Sequence, residues 1–527
     1  MMDETEKGRI CLFAMLLTPL ISWVLAAKFL YGFTRDNVRQ MLVVYIKETF
    51  NLWPLWGALV AGEIIAIIGL ILFFKFNKTI FRGQKFKRVF RGTVLVRASR
   101  LASITRERKE EQVTIADIPV PVKAEGTHIS IGGATGVGKS TIFRELMFSC
   151  IKRSRKPSNA NKKDRMIVLD PDGEFLSDFY KSGDKILNPF DARTEGWSFF
   201  NEIKSDYDFE RFAVSIVPKS QDSQTEEWNG YGRLLLTEVA RKVFNTSRNP
   251  SMEEVFHWTT GVPLEELEAY VQGTKAVSLF SGSGRATASA RFVLSNKLAP
   301  HLMMPAGEFS LRDWLNDPNG GNLFINWNDE MIESLKPLIS CWTDSLFSIV
   351  LGMKRDPNRR IWIYIDEVES LDYLPNMRHA LTKGRKKGLR VVSGYQSFSQ
   401  IVSIYGKEVA ETLLGNHRTS VVMASGRLGE ATLEFMSKSL GEIEGENEKS
   451  GISRRWGQAG TKSINPEHRK ARAVTPTELA ELPDLEGYVA FPSMPEVAKF
   501  KTEHVTYTRS NPVPGIVLRD NTALLGS

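Results

Sequence analysis

The sequence predicts an α/β fold: a parallel sheet with helices on both faces, split by an all-helical insert and preceded by two membrane-spanning helices. Three observations carry this. Short apolar runs that end in glycine or acidic residues alternate with stretches of helical spacing, the rhythm of a parallel sheet. One long stretch, 192 to about 312, keeps helical spacing throughout. The first 75 residues hold two long, almost uncharged apolar runs. At 527 residues the chain implies two or three domains. Its 42% apolar and 25% charged residues exclude a disordered or collagen-like chain. Cys11, Cys150 and Cys341 lie far apart, which removes a disulfide framework and the usual zinc spacings. Lys plus Arg exceeds Asp plus Glu by 69 − 61 = 8, so acidic partners are favoured.

The two apolar runs are 10–27 and 52–74, each long enough to cross roughly 30 Å of hydrocarbon as a helix. Lys28 and Phe29 follow the first where a cleaved signal would have small residues. Residues 75–109 carry twelve Lys/Arg against one acid, Glu107, whereas the connecting loop 31–50 has only Arg35, Arg39 and Lys47. The excess of positive charge places both termini and the bulk of the chain in the cytoplasm. Headgroup contact and nucleic-acid binding are both open to the basic stretch. Glu63 falls inside the second run. A carboxyl there is expected to be protonated or to face another helix, which an oligomer would supply.

The strand Thr127–Ile131 leads into Gly133, Ala134, Thr135, Gly136, Val137, Gly138, Lys139, Ser140 and Thr141. The first eight match G-x-x-x-x-G-K-[ST] in full. Glycines let successive N–H groups curl round a phosphate, and the helix that follows adds its positive end. Lys139 is expected to reach the β and γ oxygens of ATP, and Ser140 to ligate Mg²⁺. A second apolar strand, 361–367, ends in Asp366 and Glu367. Asp366 is expected to hold magnesium through water, and Glu367 to act as general base toward the attacking water. Acids at a strand end are common, and this pair gains its meaning from the phosphate loop.

A GTPase is disfavoured. Asn161-Lys162-Lys163-Asp164 resembles a guanine-reading string and Asp170–Gly173 a switch, but their order is reversed and the former reads as a solvated turn. Within 192–312, Trp228, Tyr231, Leu235, Val239 and Val243 share one helical face, and Ser251 with Glu254 forms a capping-box pattern. The sheet resumes at 320–327. Further strands end at Gln396 and span 420–425. Gln396 at a strand tip would sense the γ-phosphate or be a surface amide. Arg385, in KGRKKGLR, reads by itself as a solvated basic turn. The polar stretch 442–470 reads as a mobile loop, and the last twenty residues as a loosely held tail.

Together GATGVGKST, VLDPDGE, GWSFFNEI, DPNGGNLFINW, IWIYIDEVESL, ALTKGRKKGLRVVSGYQS and ELPDLEGYVAF resemble the type IV coupling proteins of bacterial conjugation. These are the TraD/TrwB-like branch of the FtsK–HerA motor superfamily. The resemblance implies a transmembrane domain (1–75), a RecA-like nucleotide-binding domain (76–191 and 313–510), an all-α domain (192–312) and a C-terminal tail (511–527). It implies an inner-membrane, homo-hexameric, DNA-dependent ATPase with ATP and Mg²⁺ as cofactors. Its partners would be single-stranded DNA taken without sequence choice, relaxase and relaxosome proteins, and inner-membrane components of the secretion system. Residue by residue it gives Lys139 and Ser140 phosphate and Mg²⁺, makes Asp366 and Glu367 Walker B, assigns Gln396 to γ-phosphate sensing, and sends Arg385 into the adjacent subunit's site. An ATP-binding scaffold or a protein-substrate receptor is the alternative.

Overall fold

The computed structural model describes residues 4–32, 38–76, 86, 88–154, 164–282, 284–356, 358–427, 429–453, 461–505 and 512–519. The chain divides into two units. One comprises 1–90 and 444–469, the other 91–443 and 470–527.

The first unit contains the helices Glu4–Tyr31, Val38–Glu48 and Trp53–Phe76. Two windows, Cys11–Leu30 and Trp53–Leu72, are long and apolar enough to cross a membrane. Gly62 lets these helices touch, since a Cβ there would lie 2.7 Å from Pro19 Cα and Ser22 Oγ. Trp23, Ala27, Tyr45 and Leu55 form a small core, with Trp23 Nε1 donating to Thr49 Oγ1 at 3.1 Å. Part of the expected connecting loop is thus helical, because Val38–Glu48 sets Tyr45 inward.

Strands are numbered in chain order: β1 Arg88–Gly92, β2 Val94–Arg97, β3 Thr114–Ile115, β4 Ile118–Pro119, β5 Ile129–Gly132, β6 Asp164–Pro171, β7 Lys185–Leu187, β8 Leu323–Trp327, β9 Arg360–Ile365, β10 Leu389–Tyr395, β11 Thr419–Met423, β12 Glu442–Ser453, β13 Thr461–Arg472, β14 Glu486–Ala490 and β15 Glu496–Lys501. The stretch 442–470, expected to be a mobile loop, carries β12 and β13, which join β1 in a three-stranded sheet. Backbone pairing makes strands here without an apolar face to announce them.

The second unit is built on a ten-stranded sheet of order β2-β15-β14-β11-β5-β10-β9-β6-β8-β7. Its middle is parallel, as the apolar strands buried on both faces require. The expectation of a parallel sheet fails at one edge. There β14 runs antiparallel to β11 and β15, a pairing that needs only a short connection from Phe491 to Pro495. Between β7 and β8 the described elements are helices, including Ser223–Thr246 and Arg285–Leu302. Leu235, Val239 and Val243 are buried on the former as the spacing requires, and Ser251 caps the helix at 252 by accepting from Glu254 N–H.

Two further expectations change. Residues 161–163 lie outside the described residues, but Asp164 opens β6 with its side chain buried, gripped by Arg153 Nε at 2.9 Å and Nη2 at 2.5 Å. It is a structural acid at the opposite end of the sheet from the phosphate turn. The tail also is not loose over 512–519. Asn326 Nδ2 and Arg193 Nη2 donate to Gly515 O, Arg193 Nη1 to Pro514 O, and Ala192 N–H to Val517 O.

Candidate active site

All elements of the site lie at the carboxyl ends of the central parallel strands, where α/β sheets present their loops. After β5 the chain turns through Gly136 (φ +78°) and Gly138 (φ +105°), a region that residues with a Cβ rarely adopt. The turn is fastened to neighbouring strands: Gly133 N–H donates to Tyr395 O and Ala134 N–H to Ala424 O. Val137 O accepts from Leu485 N–H, and Thr141 N–H returns to Gly138 O. The helix Lys139–Ser154 starts at once, with Ser140 half-buried in its first turn and Thr141 buried. Lys139 folds back so that Nζ donates to Gly133 O and Ala134 O, each at 2.8 Å.

The strand expected at 361–367 ends at Ile365, which leaves Asp366 and Glu367 just past its tip. Gly394 on β10 permits the close approach of the two strands here; a Cβ at that position would lie 1.9 Å from Asp366 O. Asp366 Oδ1 is buried without a hydrogen-bond partner. Burial pushes the Asp366 carboxyl up to about 6, against the pull of the Lys139 cation. Burial also raises Glu367 and lowers Lys139, whose proton is retained by Asp366, Glu369 and Glu367. The cation and carboxylates are therefore within electrostatic reach of one another.

Gln396 joins the two halves. Thr135 Oγ1 donates to Gln396 Oε1 at 2.6 Å, and Gln396 Nε2 donates to Glu367 Oε1 at 2.9 Å. One amide thus connects the phosphate turn to the acid pair. Sequence spacing missed Glu369, whose Oε1 accepts from Gln396 N–H at 2.5 Å and Ser397 N–H at 3.0 Å. It also missed Arg144, which ties the phosphate-turn helix to Glu174 at 2.6 Å and Asp178 at 2.8 Å. Only the position of Glu369 two residues past Glu367 hinted at a role.

Arg385 stands apart from these groups. It is exposed in the 3₁₀ turn Gly384–Lys387, against Gly126, where a Cβ would meet its Cγ at 3.2 Å. That turn precedes β10, whereas Gln396 follows it. Seven residues of strand separate them, about 23 Å at roughly 3.3 Å per residue.

The family model for the type IV secretion-system coupling protein DNA-binding domain matches residues 112–503. The coupling protein TraD of Escherichia coli (strain K12) is 28% identical over 514 residues, 93% of this chain and 69% of TraD. The bacterial conjugative coupling protein TrwBdeltaN70, in an unbound monoclinic form, is 45% identical with a TM-score of 0.75, over 83% of this chain and 98% of that one. The plasmid coupling protein TrwB in complex with ADP and Mg²⁺ is 45% identical with a TM-score of 0.75, over 84% of this chain and 100% of that one. The phosphate turn, the acid pair at the tip of β9 and a matched span of this length lead to one conclusion: the chain belongs to the type IV secretion-system coupling proteins.

Proposed function

We propose that this chain hydrolyses ATP at the turn Gly133–Thr141 and uses the cycle to move DNA, as the membrane-anchored coupling protein of bacterial conjugation. The observation that carries the reading is the hydrogen-bonded path from Thr135 through Gln396 to Glu367. This path ties Glu367, the general-base candidate, to the glycine-rich turn through one amide, which supports the reading. TrwB, which holds ADP and Mg²⁺, adds support.

The residues present fit a magnesium ion. Asp366 Oδ1 is a buried oxygen lacking a hydrogen-bond partner, and Ser140 brings a hydroxyl to the first turn of the helix that starts at Lys139. Mg²⁺ takes oxygen ligands and, when bound, screens the charge of the β- and γ-phosphate oxygens. Lys139 exchanges Gly133 O and Ala134 O for those same phosphate oxygens. Glu367, its basicity raised by burial, takes the proton of the attacking water as the water oxygen bonds to phosphorus and ADP leaves. Gln396, held at both ends, reports whether the γ-phosphate is present. Arg385, remote from its own site, acts in the site of the next subunit of a hexameric ring.

The apolar windows Cys11–Leu30 and Trp53–Leu72 support two inner-membrane spans. Twelve Lys/Arg in 75–109 support a cytoplasmic position for the rest. The proposed division is 1–75 for the anchor, 76–191 with 313–510 for the motor, and 192–312 for a helical domain that meets relaxase and relaxosome cargo. Two candidate spans among the described residues suit an anchor, and with a nucleotide site this supports work on a polymer. A net charge of +8 favours single-stranded DNA held through its phosphates. The secretion channel's inner-membrane components receive it.

Phosphate release by the full-length protein in nanodiscs, with and without single-stranded DNA, tests this. DNA is expected to raise the rate and Lys139→Ala to abolish it. Glu367→Gln is expected to bind nucleotide yet lower turnover by roughly 10²–10⁴. Undiminished hydrolysis in either variant removes the site. Conjugal transfer supported by Glu367→Gln in cells would instead assign the protein a scaffold role.

A further inference from the structure

The acid pair Asp366–Glu367 is followed by a third carboxylate that the mechanism above leaves idle. Glu369 sits in the 3₁₀ turn Val368–Ser370, which Ser370 fastens by donating from both N–H and Oγ to Glu367 O. One oxygen, Oε1, accepts from two consecutive backbone N–H groups, Gln396 and Ser397. Ser397 in turn caps the helix Phe398–Tyr405 by accepting from Gln400 N–H. The other oxygen, Oε2, is buried with no hydrogen-bond partner. Burial raises this carboxyl above its ordinary range.

A buried carboxylate that holds two N–H groups ahead of a helix with one oxygen and leaves the other bare is an expensive way to fix a chain segment. The helix already has its cap in the Ser397 hydroxyl, so it does not need the charge. What distinguishes Glu369 is the residue it holds. Gln396 is the amide that receives Thr135 and donates to Glu367, so the backbone fixed by Glu369 carries the side chain that aligns the base. A side chain with three rotatable bonds keeps a two-ended hydrogen-bonded position only if its Cα is fixed. Gly394, packed on Asp366 O, pins the same strand end two residues earlier.

We propose that Glu369 is a positioning residue for ATP turnover: by holding the Gln396 and Ser397 N–H groups it sets Gln396 between the phosphate turn and Glu367. The proposal rests on the assignment of Glu367 and Gln396 given above. Glu369 touches neither substrate nor metal and acts through Gln396 alone. Without it two N–H groups beside Glu367 seek water, and the Gln396 amide loses its fixed origin. The transition state then suffers while the nucleotide remains bound, because the phosphate turn is also fastened away from the Tyr395–Gln396 peptide, by Ala134 N–H on Ala424 O and Leu485 N–H on Val137 O.

Steady-state ATP hydrolysis by the full-length protein in nanodiscs tests this in four variants, each checked by its melting temperature. Glu369→Ala is expected to lower kcat by about 10- to 100-fold with KM within about threefold. Glu369→Gln keeps an oxygen for both N–H groups and drops only the buried charge, so it is expected to stay within about threefold of the parent in kcat. Glu369→Asp, one methylene shorter, is expected to resemble alanine and decides the matter if the alanine variant does not fold. Wild-type kcat in Glu369→Ala or Glu369→Asp overturns the proposal, as does a loss confined to KM or an inactive but folded Glu369→Gln. Glu367→Gln is the control. If it is inactive while Glu369→Ala is not, positioning alone fails; if it still hydrolyses ATP, the base assignment fails and the proposal falls with it.

Discussion

His128 shows how much a single residue contributes away from the chemistry. Its backbone is left-handed (φ +61°) just ahead of β5, and its ring is buried. Nδ1 accepts from Val391 N–H, so Nε2 carries the proton and donates to Leu381 O. The edge of His417 lies 6.0 Å away, and His417 bonds Leu413 O and Ser393 Oγ. Burial, joined by His417, Arg390 and Arg385 and opposed by the bond to Leu381 O, lowers His128 to about 3, and burial lowers His417 to about 4. Both rings stay neutral in the fold, whereas in the unfolded chain they titrate near 6.5. Below that pH the unfolded state takes up protons that the folded state refuses. Stability therefore falls as pH drops from about 6.5 toward 4, by up to about 1.4 kcal/mol per pH unit for each ring. Buried carboxyls held above their usual range, Asp170 and Asp366 among them, act in the opposite sense, so the histidine share is read as the difference in melting temperature between the parent and a His128 variant from pH 7.5 to 5.0. His128→Asn keeps a residue that tolerates the left-handed backbone and should remove one ring's share of the decline, up to about 1.4 kcal/mol per pH unit, and leave the shares of His417 and the likewise buried His301. An unchanged slope would mean that the ring is not buried neutral. None of this is written in the spacing of residues 127–131, where His128 is one polar residue in an apolar strand. The phosphate turn and the acid pair were legible because their chemistry fixes residue type and order. Glu369 was not, because its partners are backbone N–H groups that any sequence offers.

At the scale of elements the same distinction separates what could be read from what could not. The central strands β5, β6, β8, β9, β10 and β11 were legible because burial on both faces demands continuous apolar runs. The strands β12 and β13 were not, because EIEGENEKSGIS and TKSINPEHRKAR offer neither alternation nor a run of β-branched residues. The segment 512–519 escaped for a related reason: its hold on the fold is through carbonyls and N–H groups. There Gly515 meets Gly173, and a Cβ on Gly515 would stand 2.7 Å from Gly173 O and 3.1 Å from Asp172 O. Gly173 closes the turn after Asp170, whose carboxylate oxygens accept from Phe175 N–H at 3.1 Å and Leu176 N–H at 2.6 Å. The terminal segment thus lies on the turn that leads to Glu174, the partner of Arg144 on the phosphate-turn helix. Gly515→Val cannot keep this approach. It is expected to release the segment at a cost of about 1–3 kcal/mol, the usual range for overpacking. Limited proteolysis with mass analysis of the C-terminus should show faster removal of the tail than in the parent, and an equal rate would refute the contact.

For the whole molecule the decisive residue is one that the fold keeps away from its own site. Arg385 and Gln396 bracket β10, so no rotamer of Arg385 brings its guanidinium to the phosphate turn of the same chain. Either it serves another copy, or it serves something outside the nucleotide site altogether. Mixing separates these cases. Lys139→Ala subunits have no working phosphate turn but carry an intact Arg385; Arg385→Ala subunits have the reverse. Each variant alone is expected to be inactive. In a ring formed from equal amounts of the two, a site works when an Arg385→Ala subunit supplies the turn and its neighbour supplies the arginine. Random assembly produces that pairing at about one interface in four, so the mixture should recover roughly a quarter of the parent ATPase rate if sites fire independently, as expected for an arginine supplied in trans. A cation that instead contacts DNA would leave Arg385→Ala with near-normal hydrolysis in the absence of DNA and a weaker response to it. An arginine acting within its own chain would give a mixture as inactive as its components. Only the first outcome requires the ring, because it is the only one in which two damaged copies repair each other.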